Sequence, residues 1–165
     1  MNKLYPTYNS ARTRTGSLTE NEAQKLRAQV LKRDKNTCTF CGYKAANWQT
    51  INYLDEDSGN HMVTNLTVAC PMCNLIRNTT IGCQIEGIVE LYTFSDHSQK
   101  EIVQITRKMR SQGKKDTEIL KFLGLRDKVP FKMNRDYLKK LFAFVTSWKG
   151  SYGEVEEALQ YGYSH

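Results

Sequence analysis

The sequence lacks any long apolar run. Its most apolar stretch, residues 141–145, is far shorter than the about 20 residues that a membrane-spanning helix needs. Residues 1–10 also lack the apolar segment of a secretory signal peptide. No internal repeat and no low-complexity segment is present. We therefore expect a cytoplasmic protein that is not inserted in a membrane.

Apolar and charged residues are present in ordinary amounts. Hydrophobic residues make up 39% of the sequence and charged residues 25%, close to the values of globular domains, which excludes general disorder. A chain of 165 residues is long enough for one domain with its own core, or for a small core with an extension.

The net charge of +7 is unevenly distributed along the chain. Residues 1–35 carry +5 and residues 100–150 carry +9, whereas residues 36–99 carry −4 and residues 151–165 carry −3. Basic flanks of this kind suit either a nucleic acid or an acidic protein surface as partner. The charge alone does not choose between them.

Four of the five cysteines form two pairs, each with two residues between its members: Cys38 with Cys41, and Cys70 with Cys73. Two such pairs are typical of a tetrahedral Zn²⁺ site. Because four thiolates leave no position for an activated water, we predict one structural zinc ion per chain. Without a secretory signal, thiolates on zinc are favoured over disulfides. The fifth cysteine, Cys83, is expected to be a small buried hydrophobic residue, with a redox role or a fifth ligand as the alternatives.

Local signals predict the elements around the two cysteine pairs. Thr19 and Glu22 have the spacing of a capping box, and apolar residues then recur on one helical face. Aromatic and β-branched residues indicate a strand, and Pro71 suits the first turn of a helix. The expected elements are a helix ending near Arg33, a zinc knuckle over 37–42, a strand over 48–54, a second apolar segment over 62–69 and a helix from Pro71 to Arg77.

After the second cysteine pair we predict two short strands or a hairpin, followed by helices. The apolar residues and two glycines of residues 81–94 indicate the strands. A second capping box, at Ser98 and Glu101, starts one helix that ends near Gly113, and a further helix ends at Gly124. The remaining expected elements are a connection over 125–133, an amphipathic helix over 134–150 and a short helix over 151–161.

The residues around the cysteines follow the order of a known motif. Arg33 and Asp34 precede the first pair, Gly42 follows it, Asn65 precedes the second pair and Asn74 follows it. The stretch from 30 to 74 resembles a zinc-bearing HNH, or ββα-metal, nuclease core.

The same resemblance implies that catalytic chemistry has been lost. In the HNH family an Asp-His pair on the first strand supplies a ligand for the catalytic divalent ion and the general base. Here those positions fall on Asn52 and Tyr53. A neutral amide is a poor ligand for a hard cation, and a phenol with a pKa of about 10 is a poor base at neutral pH. We therefore expect no catalytic residue at these positions.

A relocated site would have to use neighbouring residues. His61 follows Tyr53 by eight positions, and the acids of residues 55–57 could supply oxygen ligands in a shifted register. We expect a polar turn that faces solvent instead. Asn65 and Asn74 keep the amides of the family and, with His61, are the candidates if the chain is a nuclease; otherwise they tie loop and helix together by hydrogen bonds.

A closer resemblance fits this loss. Residues 33–42, 52–57 and 65–73 resemble the IcmJ/DotN family of zinc-bearing, HNH-derived components of type IV secretion and conjugation systems. The resemblance implies an adaptor that docks the tail of a coupling-protein ATPase at the cytoplasmic face of the inner membrane. Residues 74–77 depart from that family and are closer to active HNH enzymes.

We therefore expect an α+β fold with a small zinc-bound, HNH-like core and a mostly α-helical extension. The core with its N-terminal helix would comprise residues 1–94, and the basic extension packed on it residues 95–165. Two alternatives to the adaptor remain open: an HNH-family DNA endonuclease or nickase, and a zinc module that binds nucleic acid through its basic flanks. For the adaptor we predict a docking surface formed by residues 81–94 and the helix over 134–148, with an acidic partner tail favoured by a basic surround.

Overall fold

The computed structural model describes residues 2–12 and 17–147, which combine helices with two antiparallel sheets. A 3-10 helix spans Val63–Asn65 and a π-helix spans Thr80–Ile85. The other elements are α1 Glu20–Arg33, β1 Thr50–Tyr53, β2 Leu66–Ala69, α2 Pro71–Arg77, β3 Val89–Phe94, α3 Gln99–Ser111, α4 Asp116–Leu123, β4 Arg126–Val129, α5 Arg135–Lys139 and β5 Phe142–Val145.

The helices and strands predicted before residue 78 are confirmed. Helix α1 starts at the Thr19 capping box, and α2 has Pro71 in its first turn. Strands β1 and β2 pair antiparallel, with Thr50 opposite Ala69. Val30 of α1 is fully buried with the apolar residues of β2. The hairpin therefore lies between α1 and α2.

The second sheet has three antiparallel strands in the order β4-β3-β5. Helix α3 starts at the predicted Ser98 capping box, and α4 ends at Gly124 in the left-handed region. Ile102 of α3 and Ile119 of α4 are buried together with Phe144 of β5. Both helices thus cover one face of this sheet.

Three of the expected elements are wrong. In place of the first of the two strands expected within 81–94, the chain forms the π-helix. Gly82 of this helix packs so closely against Val89 that a Cβ atom on it would lie 2.5 Å from Val89 Cγ2. The expected connection over 125–133 contains β4. The expected amphipathic helix over 134–150 is the short α5 followed by β5, and its residues beyond 147 lie outside the described part. The helix expected over 151–161 also lies outside it.

The mixed fold agrees with the predicted combination of helices and sheets, but a mostly helical extension is not confirmed. Of the three strands in the second sheet, β4 and β5 come from residues after 95, and β3 comes from before it. The division into 1–94 and 95–165 stays a prediction, and hydrogen bonds between strands cross it.

The N-terminal segment has contacts that the sequence did not indicate. Asn2 N–H donates to Thr39 O at 3.0 Å, and Thr7 N–H donates to Ile76 O at 3.1 Å. Thr79 N–H donates back to Thr7 O at 2.9 Å, and Leu4 is buried. Residues 2–10 therefore lie along α2 and the first cysteine turn as part of the folded unit.

None of the helices in residues 2–12 and 17–147 is both long and apolar enough to span a bilayer.

Candidate metal centre

Two tight backbone turns position the four cysteines of the predicted metal site. In the first turn Cys38 N–H donates to Tyr43 O at 2.8 Å and Gly42 N–H donates to Cys38 O at 2.9 Å. Gly42 has a φ of 84°, a left-handed conformation that favours glycine. This geometry turns the chain back so that both sulfurs of the first pair face the core.

The second pair lies at the start of α2. Cys70 is the N-cap residue, and its sulfur accepts a hydrogen bond from Cys73 N–H at 3.4 Å. A helix N-terminus presents free N–H groups and a partial positive charge, which favour a thiolate. Pro71 has no N–H to leave unpaired in this first turn.

The four sulfurs lie together in the core. All four Sγ atoms are within 4.8 Å of one another, and Cys41 Sγ is 3.7 Å from Cys70 Sγ. A tetrahedral zinc ion with Zn–S bonds of about 2.3 Å needs sulfurs about 3.8 Å apart. Each of these four cysteines is at most 4% exposed. The donor set therefore fits a four-coordinate zinc ion enclosed by protein.

Thiolates buried in this site need a cation to balance their negative charge. Burial raises the pKa of the Cys70 and Cys73 thiols well above the ordinary value, whereas a hydrogen bond with Cys38 lowers the pKa of Cys41. A divalent ion that binds thiolates releases their protons and balances their charge. Zinc bound here would hold the two cysteine turns together.

An arginine from α3 also reaches the sulfurs. Arg107 Nη2 lies 3.2 Å from Cys70 Sγ, and Arg107 Nη1 lies 3.5 Å from Cys41 Sγ. Burial by itself would lower the pKa of Arg107, but Cys70 and Cys41 in their thiolate forms raise it above the ordinary value. The guanidinium is thus held in its charged form beside two of the four sulfurs.

The positions where the HNH resemblance places catalytic residues form a separate polar cluster. Asn52 of β1 is fully buried, and its Nδ2 donates to Asn74 Oδ1 at 3.2 Å. Asn78 Nδ2 donates to the same oxygen at 3.0 Å. Arg77 Nε donates to Asn52 Oδ1 at 3.2 Å. We call these four residues, Asn52, Asn74, Arg77 and Asn78, the amide cluster.

Arg77 fills the centre of the amide cluster. It is 1% exposed, and its Nη2 donates to the carbonyl oxygens of Tyr53 at 3.0 Å and Leu54 at 3.1 Å. Nη1 lies 3.7 Å from Glu56 Oε1, and the guanidinium lies 5.1 Å from the centre of the Tyr5 ring. A fixed cation therefore lies beside the Asn52 amide, at the position where the HNH resemblance would place a carboxylate.

Tyr53 and His61 contact each other. Tyr53 Oη is 3.4 Å from His61 Nδ1, and the ring centres are 6.0 Å apart in an edge-to-face arrangement. Burial raises the pKa of Tyr53, so an even smaller fraction of the side chain is in the proton-accepting phenolate form at neutral pH.

The acids of residues 55–57 and Asn65 belong to one turn. Asp55 accepts hydrogen bonds from Asp57 N–H and Asn60 Nδ2, both at 2.8 Å. Asn65 Oδ1 accepts from Asp55 N–H at 2.9 Å, and Asn65 Nδ2 donates to Asn60 O at 3.0 Å. Asn65 thus ties this turn to β2, whereas Asn74 ties α2 to β1.

Comparison with known proteins gives a partial match. No family model matches the chain. Over 45 residues the chain is 42% identical to "Type 4 apparatus protein DotN" of Legionella pneumophila. The matched stretch covers 27% of this chain and 21% of that protein, so the chain spans about a fifth of the length of the curated relative it matches. This similarity supports a relation to the IcmJ/DotN family.

Sequence reasoning missed the roles of Arg77 and Arg107. For Arg77 a signal was present, since residues 36–99 contain only Lys44 and Arg77 as basic residues and Arg77 follows an apolar helical stretch. An arginine in such a position is buried only when it is paired. For Arg107 no local signal existed, because its sulfur partners are 66 and 37 positions away.

Proposed function

We propose that the chain is a zinc-stabilised, catalytically inactive adaptor subunit of a type IV secretion or conjugation apparatus. It would dock a protein partner, a tail of the coupling-protein ATPase, and would lie at the cytoplasmic face of the inner membrane through that partner. The observation that carries the assignment is the 42% identity with DotN over 45 residues.

The metal centre supports a structural role for zinc. Its four donors are thiols, all buried, and no fifth side chain with a metal-binding atom is grouped with them among the described residues. A catalytic zinc ion keeps one coordination position open for water or substrate. Zinc in this site would therefore stabilise the fold and activate no water.

The amide cluster supports the loss of nuclease activity. A catalytic divalent cation near Asn52 would have to approach the guanidinium of Arg77, whose Nε is 3.2 Å from the Asn52 oxygen. Two positive centres at such a distance repel each other strongly in a buried site. If the HNH resemblance holds, the fixed charge of Arg77 would lie where such a nuclease binds its metal ion, which supports the proposed inactivity.

A DNA-cleavage assay tests this inactivity. Purified protein incubated with plasmid DNA and Mg²⁺ or Mn²⁺ is expected to leave the plasmid intact. Nicking that disappears in His61→Ala would contradict the proposal and identify His61 as a relocated base. Nicking that persists in His61→Ala would contradict it too, and would place the active site elsewhere.

The docking surface predicted from the sequence needs correction. Phe144 and Val145 are buried in β5. Strand β3 is the central strand of its sheet, so Val89 and Leu91 offer no free strand edge. The part of the prediction that remains is the π-helix, where Ile81 is 43% and Ile85 is 68% exposed.

A groove lies beside this exposed apolar surface. It has a volume of about 480 Å³, and it is lined by Met133, which is 60% exposed, and by the π-helix residue Ile81. The described residues that line the groove are Tyr8, Asn9, Ser10, Ser58, Asn78, Thr80, Ile81 and Met133. Large exposed apolar side chains around a cavity are typical of a protein interaction site.

Three exposed lysines lie near Met133 in the sequence, one directly before it and two at the C-terminal end of α5. They are Lys132, Lys139 and Lys140, and all three side chains are exposed. An acidic partner tail with an apolar anchor residue would match both properties. Since these charges face solvent, the association is expected to weaken as salt rises.

The adaptor proposal is tested with a labelled peptide of the host coupling ATPase tail and fluorescence anisotropy. Met133→Glu is expected to weaken binding by at least about tenfold, or about 1.4 kcal/mol. Phe122→Glu on α4 is the matched control, because Phe122 is equally exposed at 58% but lies outside the groove.

Charge reversal provides the second arm of this test. Lys139→Glu combined with Lys140→Glu is expected to weaken binding at low salt and to reduce its salt dependence. Equal binding by wild type and by all variants would contradict the proposed surface. Recovery of nucleic acid alone from the native host would favour the nucleic-acid module over the adaptor.

A further inference from the structure

One side chain of the C-terminal half contacts the sulfur cluster directly. Arg107 lies on α3, and its two terminal nitrogens approach different sulfurs, Cys70 Sγ at 3.2 Å and Cys41 Sγ at 3.5 Å. These distances are within the range of N–H···S hydrogen bonds. One sulfur comes from each cysteine pair, so Arg107 bridges the two turns that form the centre.

The side chain is held in this position by its surroundings. Its guanidinium lies 3.9 Å from the centre of the Tyr43 ring, a cation–π contact. Gln104, one helical turn earlier, donates from Nε2 to Cys41 O at 2.9 Å. On the buried side of α3, Val103 packs in the same apolar cluster as the cysteines. Helix α3 is therefore fixed against the metal centre at more than one point.

The electrostatics of a four-thiolate site favour such a contact. Four thiolates around Zn²⁺ carry a net charge of −2, and a buried charge is costly unless it is paired and hydrogen-bonded. An arginine is always protonated and presents a planar fork of donors. It can therefore bond two sulfurs at once, which the single ammonium group of a lysine does less well.

We propose that Arg107 is a positioning residue of the zinc centre. By donating to Cys41 and Cys70 it offsets part of the thiolate charge, strengthens zinc binding, and couples the metal to helix α3 of the C-terminal half. The inference rests on the zinc centre proposed above. Because an outer-shell partner of a metal ligand contributes about 10–100-fold to metal affinity, a loss of this size is expected when Arg107 is replaced.

The test compares Arg107→Gln with Lys108→Gln, which removes one positive charge from the adjacent exposed position of the same helix. Zinc affinity is measured on the full chain by competition with a chromophoric chelator. Arg107→Gln is expected to bind zinc about 10–100-fold more weakly than wild type. Lys108→Gln is expected to bind it as wild type does, and Arg107→Lys is expected to lie between the two.

A spectroscopic measurement separates a direct contact from a general loss of packing. In the Co²⁺-substituted protein, N–H···S bonds stabilise the sulfur lone pairs and move the thiolate-to-metal charge-transfer bands to higher energy. These bands are expected to shift to lower energy in Arg107→Gln and to stay unchanged in Lys108→Gln. If Arg107→Gln does not fold, Arg107→Lys serves for the same comparison.

The outcomes distinguish this inference from the zinc centre itself. Wild-type protein without stoichiometric zinc would overturn the zinc centre and the inference with it. Wild-type protein with one zinc ion per chain, but with the same affinity and the same cobalt bands in the Arg107 variants as in Lys108→Gln, would overturn the role of Arg107 alone.

Discussion

At the scale of single residues, Arg77 shows how a buried charge becomes part of a fold. Its donors contact Asn52 Oδ1 and the carbonyl oxygens of Tyr53 and Leu54, and Glu56 lies within 3.7 Å. Burial of an arginine is tolerated when its N–H groups are bonded in this way. The side chain thus joins α2 to β1 and to the turn that follows it.

Replacement of Arg77 should be costly. Arg77→Met keeps the length of the side chain but removes the donors to Asn52 Oδ1 and to the carbonyl oxygens of Tyr53 and Leu54. It also removes one of the two cations near Glu56, which keeps Arg135 at 3.1 Å. We expect a loss of about 3 kcal/mol in the free energy of unfolding, measured by chemical denaturation with zinc present. Arg126→Met is the control, because the Arg126 side chain is 64% exposed and its pair with Asp96 should contribute less than about 1 kcal/mol. An equal effect of both substitutions would contradict the structural role of Arg77.

The thiol of Cys83 should be unreactive. Cys83 is half-buried beside the apolar residues of the core, and burial raises its pKa to about 12. The thiolate is the reactive species, so its fraction at pH 8 would be roughly 10⁻⁴, against about a quarter for a free thiol. Alkylation followed by peptide mapping should therefore label Cys83 about a thousandfold more slowly than a model thiol at pH 8, with a rate that rises about tenfold per pH unit. Labelling at the rate of a free thiol would favour a redox role.

At the scale of elements, the edge of β5 is capped by side chains. Gln99 at the start of α3 donates from Nε2 to Ala143 O at 2.8 Å and accepts from Ala143 N–H at 2.7 Å. Arg110 donates to Val145 O at 2.5 Å. The opposite edge strand, β4, is short and mostly exposed, with three charged residues. Both edges of the sheet are thereby protected from pairing with another strand.

Loss of the Gln99 side-chain amide should destabilise the contact between α3 and β5. Gln99→Leu removes both hydrogen bonds to Ala143 and leaves buried backbone groups unpaired. We expect a loss of about 2 kcal/mol in thermal or chemical unfolding. Lys108→Leu, at an exposed position of the same helix, should change the stability by less than about 0.5 kcal/mol. If Gln99→Leu is as stable as Lys108→Leu, the two hydrogen bonds contribute nothing measurable.

At the scale of the whole molecule, the metal centre lies where the two halves of the described chain meet. The four cysteines share one apolar cluster with Leu4 of the N-terminal segment, Ile76 of α2, Leu91 of β3 and Val103 of α3. Bound zinc would therefore stabilise more than the two cysteine turns. Its binding energy would be part of the folding energy of the whole unit.

Loss of one zinc ligand should disrupt this core. Cys38→Ser and Cys70→Ser are each expected to lose the metal and to unfold the core, as seen by elemental analysis and circular dichroism. Cys83→Ser is the matched control and should retain one zinc ion per chain. Soluble, folded wild-type protein with substoichiometric zinc would contradict the structural role of the metal.

Sequence reasoning identified the elements and residues whose signals are local. The capping boxes at Thr19 and Ser98 mark helix starts because the bonds they form span three residues. The cysteine spacing indicated a metal site because each pair lies within one turn, and the structure brings the two pairs together. The presence of Asn52 and Tyr53, where the HNH resemblance would require a carboxylate and a histidine, is likewise visible in the sequence alone.

Tertiary structure alone decided what depends on distant partners. The short apolar run Phe142–Val145 suits a buried helix or a strand equally, and it becomes β5 because Val89–Phe94 offers a pairing edge about fifty positions earlier. The packing of residues 2–10 along α2, and the reach of Arg107 to sulfurs on the other half, depend in the same way on contacts between remote segments. Hydrophobic periodicity and capping motifs depend only on residues that are close in the sequence. These long-range contacts therefore depend on how the core packs and cannot be read from the local pattern.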